Sequence, residues 1–109
     1  MGDGLTLVRG TLDVLVLRAL ERGPKHGYAV VSDLADLSDG AIQVEDGALY
    51  QSLHRMRERG WVRSEWGHAE SGKRARFYEL TPEGRARLER DAREWLRYSE
   101  AVSKVLGPT

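Results

Sequence analysis

The last quarter of the chain limits most strongly what it can fold into. Thr81-Pro82-Glu83-Gly84 reads as a helix start, with an N-cap threonine and proline at the first helical position. Beyond it, Leu88, Ala92, Trp95, Ser99, Val102 and Leu106 are spaced four, three, four, three and four apart. That is an a/d heptad seam held for about three heptads. A helix from Pro82 to Leu106, stopped by Gly107-Pro108, would be ~37 Å long at ~1.5 Å per residue. The small domain before it is too short to cover such a seam.

Residues 1–9 show no clear period, and Gly2 and Gly4 suggest a loose start. From Thr11 the pattern turns helical, with Leu12, Leu15, Val16, Ala19 and Leu20 on one face. Val14 and Leu17 make the other side apolar too, so this helix needs cover on more than one side. A second subunit is a natural cover. Gly23-Pro24 stops it, and a second helix follows from near His26-Gly27 to about Leu37, with Tyr28, Val31, Leu34 and Ala35 facing inward. Ile42-Gln43-Val44 suits one short strand or a turn connection. Glu45-Asp46-Gly47 then opens a third helix, with carboxylates where the helix dipole favours them. Leu49, Leu53 and Met56 form its buried stripe, and Arg59-Gly60 closes it. Trp61 to Trp66 and Ala75 to Leu80 read as two strands joined by a polar, glycine-containing loop.

Composition narrows the function class. The 109 residues carry 17 basic and 17 acidic groups, a net charge of zero, yet the charges are unevenly placed. Residues 1–50 hold four basic and eight acidic groups, and residues 51–97 hold twelve basic and eight acidic. Local patches are what a phosphate backbone feels. With no cysteine, a thiolate zinc site, a disulfide scaffold and a cysteine nucleophile are all excluded. His26, His54 and His68 stand far apart with no metal-ligand spacing, and no nucleophile motif accompanies them, so neither metal, cofactor nor enzyme activity is expected. Met1-Gly2-Asp3-Gly4 is not a phosphate loop, since no Gly-Lys-Ser/Thr follows. No apolar run approaches the ~18 residues of a membrane span and no export leader opens the chain, so a cytoplasmic location without membrane contact is expected.

The order is thus helix, helix, short strand, helix, hairpin, long helix. The expected fold class is mainly α with a small β-hairpin: a winged helix-turn-helix over residues 1–81, then a C-terminal dimerisation helix over residues 82–109. In such a fold the third helix enters the DNA major groove and the hairpin is the wing.

Five short stretches sharpen this. Gly10-Thr11-Leu12-Asp13, His26-Gly27-Tyr28, Gly47-Ala48-Leu49-Tyr50, Gly60-Trp61-Val62 with Glu65-Trp66-Gly67, and Arg76-Phe77-Tyr78-Glu79-Leu80-Thr81 follow one another in order. In this the chain resembles the PadR-like transcriptional regulators over roughly residues 5–106, and specifically their short subclass with a single C-terminal helix. The resemblance implies a dimeric DNA-binding protein, most often a bacterial repressor, with that helix packed on the partner's first helix. Two positions depart from the family's habit. Gln51 follows Leu49-Tyr50 where proline is frequent, and Glu45-Asp46 occupies the helix entry where serine or threonine is common.

On the third helix, Gln51, His54 and Arg55 fall away from the buried stripe and are candidates to reach base edges, glutamine to adenine and arginine to guanine. The stripe alone would suit an ordinary core helix. Tyr50 can pack beside it or set its hydroxyl on a phosphate, and we favour the phosphate. Lys73, Arg74 and Arg76 on the hairpin are either a solvated face or phosphate contacts, and their place after a candidate recognition helix favours contacts. Lys25 and His26 could approach the backbone, but a structural turn with Tyr28 in the core is favoured. Trp61 and Trp66 are expected to hold the wing against the helices. The expected dimer interface is Leu12, Val16, Leu88, Trp95, Val102 and Leu106. Some relatives take a flat aromatic ligand against tryptophan on this helix, which makes Trp95 the candidate effector contact.

These expectations describe a dimeric regulator of the repressor type on a palindromic operator. The alternative is a winged-helix protein-interaction module without DNA binding, favoured by the zero net charge and by Glu45-Asp46.

Overall fold

The computed structural model describes Leu7 and residues 10–107. The loose N-terminal start, the Met1–Gly4 stretch and Pro108 lie outside the described residues. Helix α1 (Thr11–Ala19) leads through a turn to a two-residue strand β1 (Lys25–His26), then α2 (Gly27–Leu37) and α3 (Asp46–Glu58). The hairpin β2 (Val62–His68) and β3 (Arg74–Leu80) follows, and α4 (Pro82–Leu106) ends the described chain. This is a winged helix with a long C-terminal helix, and the predicted bounds of α2, α3 and α4 hold to within a residue or so.

The sheet differs from expectation in one strand. Ile42–Val44 is a plain connection, and the third strand is β1, giving the antiparallel order β1-β3-β2. Lys25 pairs with Tyr78 and His26 with Phe77, so the start of α2 is pinned to the wing's inner strand. A two-residue strand carries no alternation, and the pairing exists only because β3 arrives from fifty residues away. The β2–β3 register runs from Val62 opposite Leu80 to His68 opposite Arg74. At its tip, Ala69 donates to the Lys73 carbonyl at 2.9 Å, and Gly72 takes a positive φ of 88° that a side chain would resist.

The core gathers Val16, Leu17 and Leu20 of the first helical segment, Val30 and Leu34 of α2, Leu49, Leu53 and Met56 of α3, Val62, Tyr78 and Leu80 of the hairpin, and Leu88 of α4. Leu12 and Leu15 are only half-buried against it. The residue 81/82 division marks where α4 begins, but the first turns of α4 share the core of what precedes them. Thr81 fastens this junction. Its hydroxyl donates to the Gly60 carbonyl at 2.6 Å and accepts from the Gly84 amide at 3.0 Å, which is the predicted N-cap.

Tyr28 overturns its expected role. It is 78% exposed, because the turn of α2 that follows His26 points it away from the core. The structural role of His26 holds: its Nδ1 accepts from the Ala29 amide at 3.3 Å and caps α2. Trp61 is wedged between Arg59 and Arg87, whose guanidinium carbons stand 5.3 and 4.6 Å from its ring centroid, and so ties the hairpin to α4. Trp66 does not tie the wing to the helices. It is 51% exposed on β2 and is not one of the side chains packed on the core.

Candidate nucleic-acid interface

Helix α3 turns ~100° per residue, and that geometry sorts its exposed side chains. Opposite the buried stripe of Leu49, Leu53 and Met56 runs an outer line of Gly47, Gln51, His54 and Glu58, all exposed. Tyr50 and Arg57 lie along the flank toward the wing. Ser52 and Arg55 lie along the flank toward α1. The outer line is therefore Gln51 and His54, two of the three predicted base-reading residues. His54 Nε2 stands 3.7 Å from the Glu58 carboxylate, an exposed pair one turn apart.

The third residue, Arg55, is engaged elsewhere. Its Nη2 donates to Asp13 Oδ1 at 2.6 Å and its Nε to Oδ2 at 3.2 Å, a two-point fork onto α1. Ser52, fully buried, donates to the same Oδ1 at 2.6 Å. The hydrogen bond to Asp13 holds the Arg55 guanidinium more firmly protonated than an isolated arginine, against a smaller effect of desolvation.

The wing flank is cationic. Alternation along the strands puts Ser64, Trp66 and His68 of β2 on one face with Arg74, Arg76 and Tyr78 of β3. Tyr78 is buried, so this face turns toward the helices near its base and stays open near its tip. Arg76 donates to Ser64 Oγ at 3.1 Å, and Arg57 of α3 reaches the same hydroxyl at 3.4 Å. The Arg74 and Arg76 guanidinium carbons lie 4.3 and 4.9 Å from the Trp66 ring centroid. Trp66 thus acts as a platform that steadies two cations. Burial pushes the Tyr78 phenol up from its ordinary pKa, with neighbouring Arg76 pulling the other way.

Among the described residues, Arg57, Lys73, Arg74 and Arg76 have no carboxylate within ion-pairing distance. The surface from Tyr50 through Arg57, Arg76 and Arg74 to the exposed tip at Lys73 therefore carries uncompensated positive charge beside the outer line of α3. Arg57 was missed from sequence, although its signal was there. Tyr50, His54 and Arg57 follow an i, i+4, i+7 spacing on one side of the helix.

Away from this surface, Val16 and Leu88 of the expected dimer seam are wholly buried within one chain, at 0% and 1% exposure. Leu12, Trp95 and Val102 are half-buried and Leu106 is exposed. Leu15, Ile42, Ala92, Trp95, Leu96 and Ser99 line an apolar groove between α1 and α4. No helix among the described residues is long and apolar enough to cross a membrane.

The family model of the transcriptional regulator PadR-like family matches residues 16–90. A crystal structure of a PadR family transcriptional regulator from Eggerthella lenta is 37% identical, with a TM-score of 0.75 over 93% of this chain and 86% of that one. A transcriptional regulator from Clostridium thermocellum is 26% identical, with a TM-score of 0.81 over 91% of this chain and 96% of its own. A 37.1 kDa transposon protein of Streptomyces fradiae is 38% identical over 95 residues, and the match spans 87% of this chain and 26% of that protein.

Proposed function

Because the chain belongs to the transcriptional regulator PadR-like family, we propose that it is a dimeric repressor that binds a palindromic operator through α3 and the wing. The observation that carries the proposal is the run of cations Arg57, Arg76, Arg74 and Lys73, without carboxylate partners among the described residues, beside the exposed Gln51 and His54. Phosphate contacts by the four cations and Tyr50 would supply affinity, and Gln51 and His54 would meet base edges. Two-fold symmetry would set two α3 helices in successive major grooves about 34–36 Å apart.

The dimer surface consistent with burial is the groove between α1 and α4, with Leu12, Leu15, Trp95, Leu96, Val102 and Leu106, since Val16 and Leu88 are already covered by their own chain. For a small aromatic effector the corresponding contact is Trp95, which meets Tyr98 edge to face at 6.0 Å between ring centroids. Glu45 and Asp46, both exposed at the head of α3, favour a second reading as a protein-interaction module.

Fluorescence anisotropy on the protein's own upstream promoter fragment and on a scrambled duplex, across a salt series, separates the two. A regulator binds the promoter selectively, and four phosphate contacts give a log–log salt slope of about −3 to −4 per protomer. Weak, salt-independent and equal binding to both fragments, with a stable heteromeric partner in a pull-down, supports the interaction module.

A further inference from the structure

Arg55 sits where a base-reading arginine is expected, one turn from Gln51 on α3, yet its Nε and Nη2 are held side-on by Asp13, which fixes the guanidinium against α1. The carboxylate is well placed to keep them. Asp13 is only 19% exposed, and its Oδ1 accepts from Ser52 as well as Arg55, both at 2.6 Å. A carboxylate satisfied by three donors, one of them fully buried, is costly to strip, because breaking the pair leaves a part-buried charge and a buried hydroxyl without their partners. The opposite flank of α3 is also held. Arg57 reaches Ser64 of the wing, and Tyr50 closes on Gly27 of α2. Between these two fastenings runs the exposed outer line, with Gln51 and His54.

We propose that Arg55 is a positioning residue, not a base reader: with Ser52 it clamps α3 to Asp13, and the clamp sets how α3 is presented to operator DNA. This rests on the DNA-binding reading above. Asp13 belongs to the same helix as Leu12, Val14 and Leu15, and Val14 and Leu15 line the α1–α4 groove. The clamp therefore links the groove to the recognition surface through a single rigid helix.

Single-base variants of the promoter separate the two roles. If Arg55 reads a base through its remaining Nη donors, changing one guanine of the duplex abolishes the difference between Arg55→Met and wild type. If Arg55 positions α3, Asp13→Asn and Arg55→Met each lower affinity for the upstream promoter fragment by about tenfold, and the double variant is no weaker than either single to within about twofold. Binding to a scrambled duplex, set by the wing cations, stays within about twofold throughout, a split that general destabilisation would not produce. Ser52→Ala, which keeps both charges, serves if Asp13→Asn fails to fold, and is expected to lower promoter selectivity in the same direction.

The Arg55 Nε–H resonance in the free protein and in the promoter complex gives a second readout. Under the proposal it keeps its position and slow exchange on binding. A large shift, with release of Asp13, overturns it. Wild-type protein that cannot tell promoter from scrambled duplex overturns the DNA-binding reading and the clamp's role in it together. Wild-type protein that can, alongside an equally selective Asp13→Asn, overturns the clamp alone.

Discussion

The Tyr50 ring lies directly against Gly27: a β-carbon built on Gly27 would stand 2.8 Å from Tyr50 Cζ and closer still to the phenolic oxygen. Gly27 opens α2 and Tyr50 sits on the wing flank of α3, so this contact joins the two helices beside the candidate DNA surface. The obstacle to a side chain is the free end of a half-exposed tyrosine, which can swing.

Gly27→Ala is therefore expected to cost only about 1 kcal/mol of stability, because the ring moves aside instead of the backbone. If Tyr50 meets a phosphate as proposed, the displaced phenol loses that contact and promoter affinity falls about fivefold. Thermal melts and anisotropy on the same preparation check both. Unchanged affinity would remove Tyr50 from the interface.

Gly84 is the contrasting case. In the first turn of α4, a β-carbon there would collide with the Trp61 carbonyl, its carbon being 2.8 Å away. That neighbour is backbone, already fixed by accepting the Thr81 amide at 3.0 Å. Gly84→Ala should lose about 3 kcal/mol or more, since α4 must lift from the junction with β2. A urea titration that finds less than about 1 kcal/mol would show the junction to be plastic.

On the wing, Lys73→Ala should weaken promoter and scrambled DNA alike and reduce the salt slope by about one per protomer. Trp66→Leu keeps every charge but removes the platform under Arg74 and Arg76. It should weaken binding to both duplexes with the salt slope nearly intact. A Trp66→Leu protein that binds like wild type would mean the two arginines need no support.

The Tyr78 phenol, pushed up by burial, makes a pH prediction. Its pKa is raised in the folded state, so folding favours the protonated form. Stability from this group is unaffected while both states are protonated, and it falls as pH climbs through and above ~10, where the unfolded chain ionises first. Urea midpoints between pH 8 and 11 should therefore drop more steeply for wild type than for Tyr78→Phe. Parallel curves would mean the phenol ionises without hindrance.

The elements themselves were legible from local chemistry. Thr81-Pro82 marked the start of α4, Arg59-Gly60 the end of α3, and the Leu49, Leu53, Met56 stripe the buried side of α3, because caps, breakers and period act over a few residues. The wing strands were also readable, from their aromatic and branched residues. What sequence alone could not settle depends on partners far along the chain. Lys25–His26 is a strand only because β3 offers its edge, and Tyr28 is exposed because that pairing sets the direction in which α2 begins. Leu88 looks like a seam residue by spacing and Val16 like part of a face that a partner covers, yet both are already buried within one chain. Arg55 looks like a free cation until Asp13, 42 positions earlier, is folded against it. Periodicity tells which side of a helix faces inward. Only tertiary packing decides whether a charged group on its rim meets solvent, nucleic acid or the carboxylate of its own neighbour, because that depends on distances between segments that no local pattern encodes.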